Sequence, residues 1–288
     1  MLALHLCFIS DQLIEQLHQP IEQKEIHDAQ QLHERAPRIT LGGGEHIGFE
    51  PTAGVVLCEL AVQTQLEIAR SAGAEIVVNT VVTGIDVDGD RAGRVHAGDT
   101  QYWADKVLLA TGAWFSELAP TADAQAVTVT RQTVYWFDVD DPADFAAERF
   151  PFVIWPGETI ADYSAVFPII HGGRPGLKLL GEQFERTTTA GSVDRHVSAA
   201  EASEFYERLV APRVSGVKSE LIDAAVCLYT NTQDDHFLVD YHPESTRMMV
   251  ASPCSGHGFK HSTALGEAIV GQLCGLSGAL DLAAFVRQ

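Results

Sequence analysis

The sequence predicts a mixed α/β (α+β) fold. Three observations carry this. A helically spaced apolar stretch near residues 57–72 is followed by several short strand-like runs. The middle, from Ala126 to Gly181, is strand-rich, with VTVTRQTVYWFDV alternating for a dozen residues. The last apolar strand, MMVAS, passes through glycines into a helix. Helices interleaved with strands exclude an all-α chain. With 288 residues, 46% hydrophobic and 20% charged, the chain can bury one large core or two modest ones.

Taken in order, residues 1–9 read as a strand. Asp11 to His18 and Asp28 to Arg35 read as short helices, the second with Asp28 as N-cap candidate and Pro37 as its stop. Glu45 to Phe49 is a short extended piece. Leu57, Leu60, Ala61, Leu66, Ile68 and Ala69 keep helical spacing, and Gly73 suits the C′ position. Strands are expected at Ala74–Val78 and Val81–Val87, with a turn at Asp88-Gly89-Asp90. Arg94–His96, Thr100–Trp103 and Lys106–Ala110 then complete a β-meander. Ser198 to Val210 is an amphipathic helix with Ser198 as N-cap and Glu201 as its capping-box partner. Strands at Leu221–Tyr229, His236–Asp240 and Met248–Ala251 precede a helix from about Gly258 to Leu276.

Charge narrows the function classes. Thirty-nine acids face 19 bases, a formal charge of −20. Such a surface repels phosphate backbones and anionic lipid, which argues against nucleic-acid and membrane-surface partners. Five cysteines without repeated spacing are no disulfide framework, and a reducing, cytoplasmic setting fits best. No run of about 18 apolar residues is present. The apolar start lacks a basic n-region and a cleavage site, so it reads as a strand and not as a signal peptide.

Four stretches carry candidate chemistry. Cys254-Ser-Gly-His-Gly-Phe-Lys-His261 leaves a buried strand and opens a helix. Gly256 and Gly258 allow close backbone approach, the helix start offers N–H groups, and Lys260 adds a charge. That combination suits an anion; the plain alternative is an ordinary glycine-rich turn, and spacing alone leaves the two even. Cys254, His257 and His261 are zinc-ligand types, but no fourth ligand is in register, so no metal is expected. A Cys254/His257 nucleophile pair has weak support, because residues three apart at a helix start rarely face one another. In the second stretch, Cys227 and Tyr229 share a strand face ahead of polar Thr230 to Thr232, which suits a pocket wall; a lone strand cysteine is otherwise an inert core residue. Lys178 lies between leucines in GLKLL and either snorkels outward, the commoner case, or enters a cavity. Leu108 to Trp114 is a buried strand ending in a Thr-Gly turn, a weak nucleotide-fold signal.

In the order GFEPTAGVV, LLATGAWFSEL, GLKL, AVCLYTNTQDDHFLVDYHP and SGHGFK, these pieces give the chain its resemblance. It resembles the flavin-dependent amine oxidases of the monomeric sarcosine oxidase and N-methyltryptophan oxidase group, within the D-amino-acid-oxidase-like superfamily. The resemblance implies a Rossmann-like FAD-binding domain, here incomplete, and a substrate domain with a large mixed or antiparallel sheet. It assigns residues 1–50 and 121–220 to the substrate domain and residues 51–120 and 221–288 to the FAD domain. It implies FAD, held through a thioether at Cys227 and contacted by Val82, Thr111, Gly112, Trp114, Gly256, Gly258 and Lys260. It assigns oxygen activation to Lys178, the substrate carboxylate to Lys260 and Tyr229, and a place in the catalytic site to His257. The implied reaction oxidises a secondary (N-methyl) amino acid such as sarcosine with O2, giving imine and H2O2.

Family members begin with a strand–GxGxxG–helix unit of about 30 residues that holds the FAD pyrophosphate. This sequence is expected to start after it, leaving an N-terminal FAD-binding segment to be supplied. Sarcosine oxidases keep a histidine shortly after the oxygen-activating lysine, where this chain has Gly181-Glu182-Gln183. The alternatives are a truncated or split family member without independent catalysis, and an amino-acid dehydrogenase that passes electrons to a quinone or protein acceptor.

Overall fold

In chain order the strands of the computed structural model are β1 (His5–Ile9), β2 (Glu25–His27), β3 (His46–Glu50), β4 (Val82–Asp86), β5 (Gly93–Ala97), β6 (Thr100–Ala104) and β7 (Val107–Leu109). They continue with β8 (Val127–Val139), β9 (Phe152–Trp155), β10 (Ser164–Phe167), β11 (Leu177–Leu180), β12 (Val217–Thr232), β13 (Leu238–His242) and β14 (Ser245–Ser252). Four helices matter here: α1 (Ala29–Arg35), α2 (Cys58–Ser71), α3 (Ala199–Phe205) and α4 (Ser262–Cys274). The structure describes residues 5–9, 25–27, 29–42, 46–50, 54–87, 93–276 and 280–286. The expected helix at Asp11–His18, the cap Asp28 and the turn at Asp88–Asp90 lie outside them.

The chain divides into two compact units. The first is Met1–Val55, Arg131–Arg186 and Asp194–Cys227; the second is Val56–Thr130, Thr187–Val193 and Leu228–Gln288. Eight strands form one mixed sheet in the order β12-β8-β11-β10-β9-β1-β3-β2. Most neighbours are antiparallel, and β1 pairs parallel with β9. In the first unit Tyr135 and Phe137 of β8 stack on Phe205 of α3, with centroids 4.4 and 6.4 Å apart. Trp136, one residue out of phase, lies on the other face under Arg174 and Lys178. Both faces of β8 are therefore covered, and its alternating sequence is almost continuously buried.

A buried ionic network ties α3 to this sheet. Arg131 donates to both Glu201 oxygens, at 2.7 and 3.3 Å, to Thr133 Oγ1, and to the carbonyls of Asp194 and His196. Ser198 caps α3 by accepting from the Glu201 N–H at 3.1 Å. The expected capping box is half realised, since the Glu201 carboxylate goes to Arg131, Thr133 and Arg186. Beyond Phe205 the chain continues as a π-helical turn, Tyr206–Val210, which shortens the expected α-helix.

The second unit holds two three-stranded sheets, β13-β14-β7 and β4-β5-β6. Met249 and Ala251 of β14 pack under α4 with Leu265, Ala268, Ile269 and Leu273. Met248 and Val250 face the opposite way, against Val107, Leu109, Phe115 and Val127. Two expectations need correction. The run Lys106–Ala110 does not complete the meander: β7 leaves it and pairs parallel with β14. Ala74–Val78 forms no ladder among the described residues, and Val77 and Val78 are 48% and 65% exposed. Its pattern is strand-like, but a strand exists only with a neighbour to accept its hydrogen bonds. Helix α2 ends as expected at Gly73 (φ +93°), yet buries no residue, and Leu57, Leu60 and Ile68 lie open.

Candidate functional site

The turn that joins β14 to α4 is built on two consecutive left-handed residues, Ser255 (φ +44°) and Gly256 (φ +75°). Serine tolerates this conformation poorly. Its side chain is fixed in compensation: Ser255 Oγ donates to the His236 carbonyl at 3.2 Å and accepts from the Thr232 N–H at 3.3 Å, while Ser255 N–H donates to the Thr230 carbonyl at 2.9 Å. Gly256 has no alternative, because a Cβ there would stand 2.7 Å from the ring of Tyr229. Gly258 is equally constrained, since a Cβ would lie 1.6 Å from the Pro253 carbonyl oxygen. After it the chain enters a 3-10 turn, Phe259–His261, and then α4.

Four of the expected site residues thus share one turn of the second unit, Gly256, His257, Gly258 and Lys260, and Tyr229 of β12 lies against it at Gly256. Lys260 is exposed. His257 braces the turn. Its Nε2 lies 3.0 Å from the Asp235 carbonyl oxygen, so Nε2 carries the proton, and its ring stacks on Phe237 at 4.8 Å. Beside it a cavity of about 330 Å3 is lined by Asp234, Asp235, His236, Phe237, His257 and Phe285. A larger depression, about 530 Å3, lies over α3 among Ser203, Glu204, Glu207 and Arg208 and gathers none of these groups. Burial pushes the Cys254 thiol up, which keeps it neutral, and with His257 engaged elsewhere the nucleophile pair is not assembled. No metal-binding cluster occurs among the described residues.

Thr111, Gly112 and Trp114 follow β7, the strand parallel to β14. Gly112 is left-handed (φ +53°), with nothing within 4 Å of where a Cβ would stand. Val82 opens β4, in the separate meander sheet. Lys178 belongs to the first unit, where β11 places it opposite Trp136 and β10 opposite Phe167. Its Nζ sits 4.6 Å from the Phe167 centroid and 5.9 Å from that of Trp136. Cys227 is the first unit's last residue, exposed and reduced, two positions before Tyr229 on β12.

Sequence reasoning passed over Ser252 here, and reached Asn231 only as part of the polar run Thr230 to Thr232. Ser252 is 1% exposed and Asn231 6%; the hydroxyl of the first and the side-chain carbonyl oxygen of the second are buried without a hydrogen-bond partner, as is Thr111 Oγ1. A serine at the end of an apolar strand carries no signal of its own in the sequence.

The pattern of the FAD dependent oxidoreductase family, DAO, matches residues 7–272. Monomeric sarcosine oxidase of Bacillus sp. (strain B-0618) is 28% identical over 246 residues, covering 84% of this chain and 61% of its own length. N-methyl-L-tryptophan oxidase of Salmonella arizonae is 33% identical over 247 residues, covering 83% and 62%. The chain therefore spans about three fifths of the length of these relatives. Among solved structures, NikD, described as an unusual amino acid oxidase essential for nikkomycin biosynthesis, superposes with a TM-score of 0.79 at 17% identity, covering 100% of this chain and 77% of NikD. The likeness to NikD speaks for the fold, and the pattern matched from residue 7 to 272 settles the family: the chain belongs to the FAD-dependent oxidoreductases of the DAO type.

Proposed function

We propose that the chain is the larger part of an FAD-dependent oxidase of secondary amino acids, sarcosine or another N-methyl amino acid among them. The observation that carries the reading is the Ser255–Lys260 turn. It joins left-handed backbone, a glycine pressed on Tyr229 and a cation at a helix start, in a chain of an FAD-dependent family. A bound FAD would supply the two-electron oxidising chemistry, by which the amine's C–N bond becomes an imine and O2, taking the two electrons and two protons, becomes H2O2.

The residues fit such a group. Gly112 leaves open space at the chain's left-handed bend, Thr111 offers a buried hydroxyl without a partner, and Cys227 offers a reachable thiol for a thioether. Val82, Trp114, Gly256 and Gly258 complete the proposed cofactor contacts. Lys260 and the Tyr229 hydroxyl would hold the substrate carboxylate, and His257 would steady the turn that carries Lys260. Lys178 has two aromatic neighbours and, among the described residues, no carboxylate partner, which leaves its charge for an anionic oxygen species. In this reading the first unit carries the substrate domain and the second the rear of the FAD domain. No G-x-G-x-x-G occurs within residues 1–288, so the pyrophosphate-binding unit is assigned to further polypeptide. No helix among the described residues is long and apolar enough to cross a membrane, and the reduced cysteines fit a cytoplasmic setting.

The test is spectroscopic. The purified chain, supplied with FAD and acid-precipitated, should give a yellow pellet, and Cys227→Ala a colourless one. A colourless pellet from the unaltered chain would overturn the covalent link, and failure to take up FAD at all would overturn the cofactor reading. Peroxide released on adding N-methyl amino acids separates oxidase from dehydrogenase.

A further inference from the structure

Strands β7 and β14 run parallel, with Val250 opposite Leu109. Ser252 and Thr111 each stand two residues beyond that pair, at the carboxyl end of their strand. Ligands of open α/β sheets bind outside the carboxyl ends of parallel strands. Both residues carry a hydroxyl oxygen that is buried and without a hydrogen-bond partner. The Ser252 hydroxyl lies close enough to the Cys254 thiol to offset part of the upward push that burial gives it, yet no contact between the two has the geometry of a full hydrogen bond, and a thiol is in any case a weak partner. Ser252 sits in MMVAS, where Met248, Met249, Val250 and Ala251 are all buried. Alanine would fill that position without removing a hydroxyl from water. A desolvated hydroxyl with nothing to bond disfavours the folded chain unless something else meets it.

We propose that Ser252 is a ligand-facing residue whose hydroxyl, with that of Thr111, hydrogen-bonds the bound flavin nucleotide at the carboxyl ends of β7 and β14. The proposal rests on the reading that this chain binds FAD, and adds to it a contact on a strand outside the glycine turn. It separates ligand binding from folding in a way a packing residue does not. Removing a hydroxyl that only a ligand satisfies relieves the unliganded protein and weakens the complex. Removing one that a structural partner satisfies weakens both.

The experiment compares the unaltered chain with Ser252→Ala, Thr111→Val and the double variant, each also carrying Cys227→Ala so that flavin uptake stays reversible. Two quantities are read: the unfolding temperature without flavin, and the dissociation constants of FAD, FMN and ADP by titration. The expected result for Ser252→Ala is an unliganded unfolding temperature that is unchanged or higher. Its FAD affinity falls roughly 5- to 10-fold, the loss of about one neutral hydrogen bond. FMN or ADP shows the same loss, according to which half of the nucleotide the hydroxyl meets. A lower unliganded unfolding temperature with unchanged FAD affinity would assign the hydroxyl to the fold and overturn the proposal. FAD bound equally well by all four proteins would overturn it while leaving the cofactor reading intact. If the parent chain takes up no FAD, the cofactor reading itself falls and this assignment falls with it.

Discussion

Replacing Glu201 by glutamine tests how the first unit is held together. The carboxylate is only 14% exposed and Arg131 8%. Arg131 keeps its bonds to the Asp194 and His196 carbonyls but loses the charge that offsets its own burial. Removing one partner of a buried ion pair costs about 3–5 kcal/mol. Glutamine still offers one acceptor, which returns about 1 kcal/mol. The Arg186 arm is 52% exposed and adds little. The expected loss is about 2–4 kcal/mol, or a urea midpoint lower by roughly 1 M or more.

Acid supplies the second reading. Burial is the largest single influence on Glu201 and raises its pKa, but the bonds from Arg131 and Thr133 with the charges of Arg131 and Arg186 together outweigh it, leaving the carboxyl below its ordinary 4.5. A folded-state pKa below the unfolded one contributes stability that is complete above the ordinary value and lost as pH falls through the folded one. The gap between wild type and Glu201→Gln should therefore narrow below pH 4.5. Urea titrations at pH 7 and pH 3.5, followed by 19F signals of 5-fluorotryptophan at Trp136 and Trp155, report this unit alone, since Trp103 and Trp114 lie in the other. A gap below about 0.5 kcal/mol at pH 7, or one unchanged in acid, refutes the reasoning. The double variant Arg131→Met/Glu201→Leu should be less destabilised than Arg131→Met alone.

Other outcomes are expected of the same molecule. Gly258→Ala forces a methyl onto the Pro253 carbonyl, so amides of residues 252–262 should exchange at least tenfold faster with deuterium; unchanged protection would contradict the turn as described. Lys178→Met should slow flavin reoxidation by O2 by roughly 10²-fold while anaerobic reduction by substrate changes less than about twofold, as stopped-flow absorbance separates the two. Leu60→Gln with Ile68→Gln should alter the chain's unfolding free energy by no more than about 0.5 kcal/mol, since both side chains are open; a loss above 2 kcal/mol in urea titration would show that α2 is covered.

Local signals served well wherever the chain itself supplies the partner. The spacing from Leu57 to Ala69, the left-handed Gly73, the long run VTVTRQTVYWFDV and the Ser198 cap all appear where the pattern puts them. What the pattern could not contain was pairing. Val107–Leu109 reads like a fourth meander strand, and only its parallel neighbour some 140 residues later shows otherwise. Ala74–Val78 has strand composition and no ladder. The glycines of the Ser255–Lys260 turn were legible because each excludes a Cβ, a constraint that acts on residue type. Ser252 and the aromatic neighbours of Lys178 were not, because their meaning lies in burial and in which strand stands beside them.

The open face of α2 has a consequence for the chain in solution. A helix that shows Leu60, Val62 and Ile68 to water while none of its residues is buried is a sticky surface on a molecule of charge −20. What keeps two such surfaces apart is mutual electrostatic repulsion, whose reach is about 10 Å at 0.1 M salt and 3 Å at 1 M. Colloidal behaviour should therefore be set by ionic strength and by distance from the isoelectric point near 4.8. In dilute buffer at neutral pH the chain should stay dispersed, whereas concentrated salt, or acid near that point, should remove the repulsion and let the apolar helix drive association, a difference that light scattering would read.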